Sequence, residues 1–98
     1  MSRNVVVTGL GATTPLGGDV ASTWEALLAG KSGITLLQDE KFANLPVTIA
    51  APAKVDPSEI LEAHEIRKMD RSQTLALIAA REAWADANVG EMDKTRLG

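Results

Sequence analysis

The chain opens with an unbroken run of three valines, residues 5–7, followed at once by a glycine-rich stretch, residues 9–18. Successive side chains of a strand point to opposite faces, so this run makes both faces apolar. A strand that is apolar on both faces is typical of the centre of a parallel sheet covered by helices. The sequence therefore predicts a buried first strand over residues 3–8 of an α/β fold.

The turn after this strand does not match a nucleotide-binding loop. Gly9 and Gly11 begin the G-x-G-x-x-G pattern of dinucleotide-binding folds, but Thr14 and Pro15 stand where the third glycine is required. The next helix also begins several residues too late to meet a pyrophosphate with its N-terminus. This loop does not end in Gly-Lys-Ser/Thr, which argues against a phosphate loop. We therefore expect no cofactor, and interpret the loop as a strand-to-helix connection.

Asp19 is a good N-cap, and it predicts a helix over residues 20–29. Gly30 stands where a left-handed residue commonly ends a helix. Four apolar residues of this segment recur at helical spacing and predict one buried face: Val20, Trp24, Leu27 and Leu28.

Residues 31–55 are predicted to be irregular. The charged segment 39–41 is expected to be solvated, and residues 34–37 supply a small apolar anchor. One short edge strand is predicted around residues 47–51, bracketed by prolines. Two strands cannot form a parallel sheet with both faces covered. We therefore expect the N-terminal piece of a larger α/β domain, with a small free-standing α+β domain as the alternative.

Two helix starts follow in the second half of the chain. The Asp-Pro-Ser-Glu sequence at residues 56–59 predicts a short helix over residues 57–63, and residues 64–69 are expected to link it to the next. Asp70 then begins the longest predicted helix, residues 71–87.

This longest helix carries six alanines from Ala76 to Ala87, whose short side chains project little from the helix. Short side chains let another backbone approach the helix closely, as happens when a helix is buried between layers. Asn88 can end the helix in the left-handed conformation. The predicted apolar stripe comprises Leu77, Ala80, Trp84 and Ala87, widened by Ile78 and Ala83.

Composition narrows the possible functions. Ten Lys and Arg against 13 Asp and Glu give a formal net charge of −3, and aromatic residues make up 3% of the chain. Both values argue against nucleic-acid binding. No apolar run reaches the length that crosses a membrane, and no signal-peptide pattern is present. Because the chain has no cysteine, it offers neither disulfides nor a thiolate zinc site, and we expect a cytoplasmic protein.

Few residues offer catalytic chemistry. Serine or threonine nucleophiles need a base, and the one histidine, His64, lies in a charged segment where we expect it to be exposed. The carboxylates nearby are better explained as helix caps and helix surface. No metal-ligand constellation is apparent, so these residues predict no active site.

A basic group formed by Arg67, Lys68 and Arg71 is the remaining candidate. Three cations lie within five residues at the start of the longest predicted helix, where the helix dipole disfavours positive charge. They are expected either to pair with Glu65 and Asp70 or to contact an outside anion. A solvated face is the simpler alternative.

Three segments together resemble the N-terminus of β-ketoacyl-[acyl-carrier-protein] synthases, most closely the synthase II type. They are Val-Val-Val-Thr-Gly-Leu-Gly (5–11), Ser-Thr-Trp-Glu-Ala-Leu-Leu-Ala-Gly-Lys-Ser-Gly-Ile (22–34) and Arg-Lys-Met-Asp (67–70). The resemblance implies a thiolase-like fold of two similar halves in five α/β/α/β/α layers. Residues 1–98 would form the N-terminal part of the first half: first strand, following helix, an excursion and a long buried helix.

The resemblance also implies an activity and partners. Such enzymes condense a malonyl unit on acyl carrier protein with an enzyme-bound acyl chain and release CO₂, without a cofactor. Their cysteine and two histidines would lie beyond Gly98, so His64 is not expected to be catalytic. Arg67 and Lys68 match basic positions that dock the acidic carrier protein, while His64 stands where a relative has lysine. Malonyl and acyl thioesters would be substrates, and the full-length protein is expected to be a homodimer.

Three alternatives stay open. A polyketide ketosynthase shares the opening motifs, and a non-catalytic chain-length-factor-like partner keeps the fold but lacks the cysteine. A short protein that binds acyl carrier protein is the third, and cooperative unfolding of a 98-residue monomer would favour it.

Overall fold

The computed structural model describes residues 3–97, which contain three α-helices and one short pair of strands. Three single-turn 3₁₀ helices lie between or after them, at Glu40–Phe42, Pro57–Glu59 and Lys94–Arg96. In chain order the main elements are α1 (Val20–Leu28), β1 (Thr35–Leu36), β2 (Ile49–Ala50), α2 (Ala63–Arg67) and α3 (Arg71–Ala87).

Helix α1 has the N-cap and the left-handed glycine that local chemistry predicts. The Asp19 side chain accepts a hydrogen bond from the backbone amide of Ser22 at 2.8 Å, which satisfies a free donor of the first turn. Gly30 has φ of 71°, so the predicted left-handed residue is confirmed. The helix ends at Leu28, one residue earlier than predicted, with Ala29 as its C-cap.

The predicted buried face of α1 is wrong for the described residues. Trp24 is 58% exposed and Leu28 69% exposed, and only Ala26 of this helix is buried. Helix α1 has the expected amphipathic pattern, but residues 3–97 supply no layer that covers its large apolar side chains.

Helix α3 has the predicted bounds. Asp70 accepts a hydrogen bond from the Gln73 amide at 2.9 Å, and Gln73 accepts one from the Asp70 amide at 3.1 Å, which completes a capping box. Asn88 has φ of 51° and ends the helix as predicted. The helix is not buried between layers, however, because only Thr74 and Ile78 are buried and Trp84 is 53% exposed.

The predicted buried strand over residues 3–8 is also wrong for this structure. The segment forms no strand ladder, and its three valines, residues 5–7, are 72–94% exposed. A strand of a parallel sheet is stabilised by neighbours and by layers on both faces. The described residues contain one ladder only, between β1 and β2, so this segment has nothing to pair with.

The opening loop packs directly on α3, as the alanine-rich surface predicts. A Cβ added to Gly9 would lie 2.8 Å from the Ala87 Cα, and one added to Gly11 would lie 2.8 Å from the Ala83 nitrogen. The loop's backbone thus occupies space that a side chain would need. The prediction of close backbone approach is confirmed, and the approaching segment is the loop itself.

Carboxylates of α3 hold this loop in place. Glu82 accepts hydrogen bonds from the Ala12 amide at 2.9 Å and from the Val20 amide at 3.0 Å, one on each oxygen. Asp86 accepts one from the Leu10 amide at 3.0 Å. Amides near both ends of the loop are therefore engaged by α3.

Strands β1 and β2 pair antiparallel, with Thr35 opposite Ala50 and Leu36 opposite Ile49. The strand predicted around residues 47–51 is confirmed, although it is shorter. Strand β1 is a difference from the sequence prediction, in which residues 34–37 form only an apolar anchor.

The region before α3 divides differently from the prediction. Instead of one helix over residues 57–63, a single 3₁₀ turn at Pro57–Glu59 is followed by α2, which occupies most of the predicted link. The Glu62 amide donates to Glu65 Oε2 at 3.1 Å, and this local pair starts a new helix.

The described residues form an elongated assembly with a thin core. The radius of gyration is 17.4 Å, whereas a compact domain of 100 residues has about 13 Å. Leu61, Thr74 and Ile78 are buried where the 3₁₀ turn at Pro57–Glu59 meets α2 and α3. The candidate site lies in this part of the chain.

Capping carboxylates, among them Asp56 and Asp70, make the helices sensitive to acid. The backbone amide of Ser58, followed by its hydroxyl, lowers the pKa of Asp56 below its ordinary value of 3.8. The pKa of Asp70 is also lowered, chiefly by the hydrogen bond from the backbone amide of Gln73. Both pKa values are lower in the folded state than in the unfolded state. Both carboxylates therefore stabilise the fold at pH values above 3.8, and this stabilisation is lost as the pH falls through the lowered pKa values.

We expect helix content to fall as the pH is lowered below 3.8, and to be insensitive to pH between 5 and 7, outside the range in which these carboxyls titrate. Circular dichroism across this range measures the effect. Asp70→Asn, which keeps an acceptor without the titrating group, should reduce the acid-induced loss. An equal loss in that variant would contradict a role for Asp70.

Candidate partner-docking surface

The candidate site lies where α2 ends and α3 begins. Arg67 is the last residue of α2, Lys68 is its C-cap and Arg71 is the first residue of α3. All three side chains are exposed, and we call them the basic ridge. The carbonyl end of α2 favours positive charge at Arg67 and Lys68, so the unfavourable dipole expected from sequence applies only to Arg71.

Glu65 and Asp70 do not pair with the basic ridge. Glu65 Oε1 lies 2.6 Å from Arg81 Nη2. The Asp70 carboxylate accepts hydrogen bonds from the Gln73 amide and, at 2.7 Å, from the Ser72 hydroxyl. Within residues 3–97, no carboxylate lies within 4.0 Å of a ridge cation. The expected internal pairing is therefore wrong, which leaves a solvated face or an outside anion.

The Glu65–Arg81 ion pair fixes the ridge relative to α3. The Arg81 hydrogen bond is the main cause that lowers the pKa of Glu65, and Glu65 raises the pKa of Arg81 in return. Glu65 also accepts the Glu62 amide, so the same carboxylate starts α2 and joins it to α3. The segment that carries Arg67 and Lys68 is thus held at both its first turn and its packing face.

A depression of about 230 Å³ lies beside the ridge, and we call it the ridge pocket. No sequence pattern predicts it, because its walls come from three separate elements. Its lining residues are Asp56, Pro57, Ser58, Ile66, Met69, Asp70, Arg71 and Thr74.

His64 is exposed, as predicted. Its Nδ1 lies 3.3 Å from Glu62 Oε2, and its side chain is 59% accessible to solvent. In the part of the chain that the structure describes, no three His, Asp or Glu side chains are grouped to hold a metal ion. No helix among residues 3–97 is long and apolar enough to cross a membrane.

Comparison with known proteins gives one consistent result. A family model described as "Beta-ketoacyl synthase, N-terminal domain" matches residues 2–98. A protein of Coxiella burnetii named 3-oxoacyl-[acyl-carrier-protein] synthase 2 is 40% identical over 99 residues, which cover 98% of this chain and 24% of that protein.

Two proteins of the same name give similar values. That of Mycobacterium leprae is 39% identical over 97 residues, covering 96% of this chain and 23% of its own length. That of Staphylococcus aureus strain N315 is 39% identical over 98 residues, covering 97% and 24% respectively. The chain spans about a quarter of the length of the curated relatives it matches.

Proposed function

Because this chain belongs to the β-ketoacyl synthase family, as its three motifs predicted, we propose that the whole protein is a condensing enzyme of fatty acid elongation. By "whole protein" we mean these residues together with the further length that the relatives have. It would join a malonyl unit carried by acyl carrier protein to an enzyme-bound acyl chain and release CO₂. The observation that carries this proposal is the match to the family model over residues 2–98.

Within that protein, residues 1–98 would form the N-terminal part of the first thiolase-like half. The nucleophilic cysteine must come from elsewhere, since these residues contain none. The exposed position of His64 supports placing both catalytic histidines elsewhere as well. The segment would contribute structure and partner docking, while the chemistry lies in the remaining length.

The exposed apolar surface supports this arrangement. The valines at 5–7 are apolar on both faces, and Trp24 and Leu28 form an uncovered face of α1. In a five-layer domain, the valine run would be a central strand, and further layers would cover α1 and α3. The same surfaces weigh against a free-standing carrier-binding protein of 98 residues.

Turnover tests the proposed activity. The whole protein, given malonyl-carrier protein and an acylated carrier protein, should release CO₂ and form a 3-oxoacyl product. A protein that binds both substrates without condensing them would be the non-catalytic partner. Condensation that continues to longer polyketone chains would indicate a polyketide ketosynthase. A homodimer in the cytoplasm is expected in each case.

For docking, we propose that Arg67 and Lys68 bind the acidic surface of acyl carrier protein. Three observations support this role: both side chains are exposed, neither has a carboxylate within 4.0 Å among residues 3–97, and α2 is anchored by the Glu65–Arg81 ion pair. Exposed, complementary charge chiefly raises the rate and specificity of association.

The double variant Arg67→Glu/Lys68→Glu should lose about tenfold in kcat/KM with carrier-bound substrates, because it exchanges two attractions for two repulsions. Activity with a small acyl thioester should stay unchanged. The control is Lys31→Glu/Lys54→Glu, which makes the same charge change at exposed positions outside the ridge. Equal losses with both kinds of substrate would contradict a docking role and indicate a folding defect.

A further inference from the structure

We propose that the ridge pocket receives one aliphatic side chain from the docked acidic partner and that Arg71 is a third cation of the same surface. This inference rests on the proposed carrier-protein docking, and it extends that docking beyond Arg67 and Lys68. The occupant is a leucine-sized side chain on an acidic surface, such as one face of a carrier-protein helix.

Residues 66–71 contribute side chains to the pocket and to the ridge in turn. Ile66 and Met69 line the pocket and are partly buried, while Arg67 and Lys68, which lie between them in sequence, are exposed. Arg71 belongs to both, since it lines the pocket and is exposed. An apolar depression therefore adjoins cations that have no carboxylate within 4.0 Å among residues 3–97, and only Arg71 feels a pocket carboxylate, Asp56, through space. One rigid partner surface can thus contact both the depression and the cations.

The carboxylates and hydroxyls that line the pocket are already hydrogen-bonded within the chain. Asp56 accepts hydrogen bonds from the Ser58 amide at 3.0 Å and the Ser58 hydroxyl at 2.8 Å. Asp70 is engaged similarly at the start of α3, and the Thr74 hydroxyl donates to the Arg71 carbonyl at 2.7 Å. With these groups satisfied, the pocket offers apolar contact and not polar recognition of a small ligand.

Charge sets the orientation of the partner. The Asp56 and Asp70 carboxylates line the pocket, and their hydrogen bonds keep both pKa values low, so both repel acidic side chains. Acidic residues of the partner must therefore face Arg67 and Lys68, which leaves the pocket to an uncharged side chain. A partner of mixed acidic and aliphatic surface meets both conditions.

The pocket's size fits one such side chain. At about 230 Å³ it exceeds the apolar cavity of about 150 Å³ that accommodates a benzene molecule. A few residues seated in well-packed pockets, surrounded by contacts that exclude water, commonly contribute most of an interface's binding energy. Blocking the pocket should thus weaken docking without touching the ridge.

Two serines provide a matched test of the pocket. Ser58 lines the pocket and its hydroxyl donates to Asp56 at 2.8 Å, whereas Ser72 lies outside it and donates to Asp70 at 2.7 Å. Both side chains are exposed. Ser58→Phe in the whole protein should raise KM for carrier-bound substrate roughly fivefold, and Ser72→Phe should not. Activity with a short acyl pantetheine thioester should stay unchanged in both variants.

Arg71→Glu tests the third cation, with Lys31→Glu as the control. We expect roughly a threefold rise in KM for carrier-bound substrate and a weaker dependence of KM on salt. Equal KM values for Ser58→Phe and Ser72→Phe would overturn the pocket, and an unchanged KM in Arg71→Glu would overturn the third cation. Either result leaves the proposed docking intact if Arg67→Glu/Lys68→Glu still impairs carrier use, and that docking fails only if the double variant does not.

Discussion

Replacing Gly11 with alanine should destabilise the whole protein by about 3 kcal/mol, among the larger effects expected of a single methyl group. The added Cβ would lie 2.8 Å from both the Ala79 carbonyl carbon and the Ala83 nitrogen. These are backbone atoms inside α3, so they cannot rotate away as a side-chain end can. Relief requires the loop to leave the helix, which breaks the hydrogen bonds to Glu82 and Asp86.

Other glycines of the chain supply controls for this substitution. Gly90 has open space where a Cβ would be, and its φ is not left-handed, so Gly90→Ala should be nearly neutral. Gly30 also has open space but φ of 71°, and its replacement by alanine should cost about 1 kcal/mol. Urea midpoints should rank Gly90→Ala above Gly30→Ala above Gly11→Ala. Equal midpoints for Gly11→Ala and Gly90→Ala would show that the loop does not rest on α3.

The helices could be predicted from sequence because their signals are local. Asp19 and Asp70 cap helices through amides three residues away, and Gly30 and Asn88 end them through their own backbone angles. None of these interactions depends on distant parts of the chain. Even the break before α2 has a local cause, the hydrogen bond between the Glu62 amide and the Glu65 carboxylate, although the proline at residue 57 is the stronger signal in the sequence.

The formation of the first strand could not be predicted from local signals alone. A valine run shows that a segment can be buried on both faces, but burial itself requires partners that lie far away in sequence. Residues 3–97 provide only the β1–β2 ladder, and the valines do not pair with either of its strands. The same reason applies to α1, where an apolar face is encoded but its covering layer is not.

Part of the candidate site could likewise be predicted from the sequence and part could not. The sequence identified Arg67, Lys68 and Arg71 by their charge, but it could not decide whether nearby carboxylates neutralise them. The geometry decides this, because Glu65 faces Arg81 sixteen residues away and Asp70 faces its own helix. The ridge pocket is harder still to predict, since it forms only when the turn at Pro57–Glu59 packs against α2 and α3.

Loss of the Glu82 carboxylate should be the most damaging change to a polar side chain in the described residues. Its two oxygens accept from the Ala12 and Val20 amides, which are 70 and 62 residues away in sequence and partly buried. Glu82→Ala leaves both donors without a partner, and each lost bond to a charged acceptor costs about 1–3 kcal/mol. We expect a total of roughly 2–4 kcal/mol, since water can reach part of the site.

Three further variants separate the hydrogen bonds from general effects. Glu82→Gln keeps one acceptor and points an amide donor at the other N–H, so it should lose about half as much. Asp86→Asn affects one exposed bond to Leu10 and should cost less, while Glu91→Ala, at an exposed position, should be neutral. Hydrogen exchange gives the decisive readout: in Glu82→Gln, exchange should accelerate at Ala12 or Val20 before the rest of α3 is affected. Unchanged exchange at both amides would mean that Glu82 does not hold the loop, and the loop's position would then depend on the fit of Gly9 and Gly11 against α3 alone.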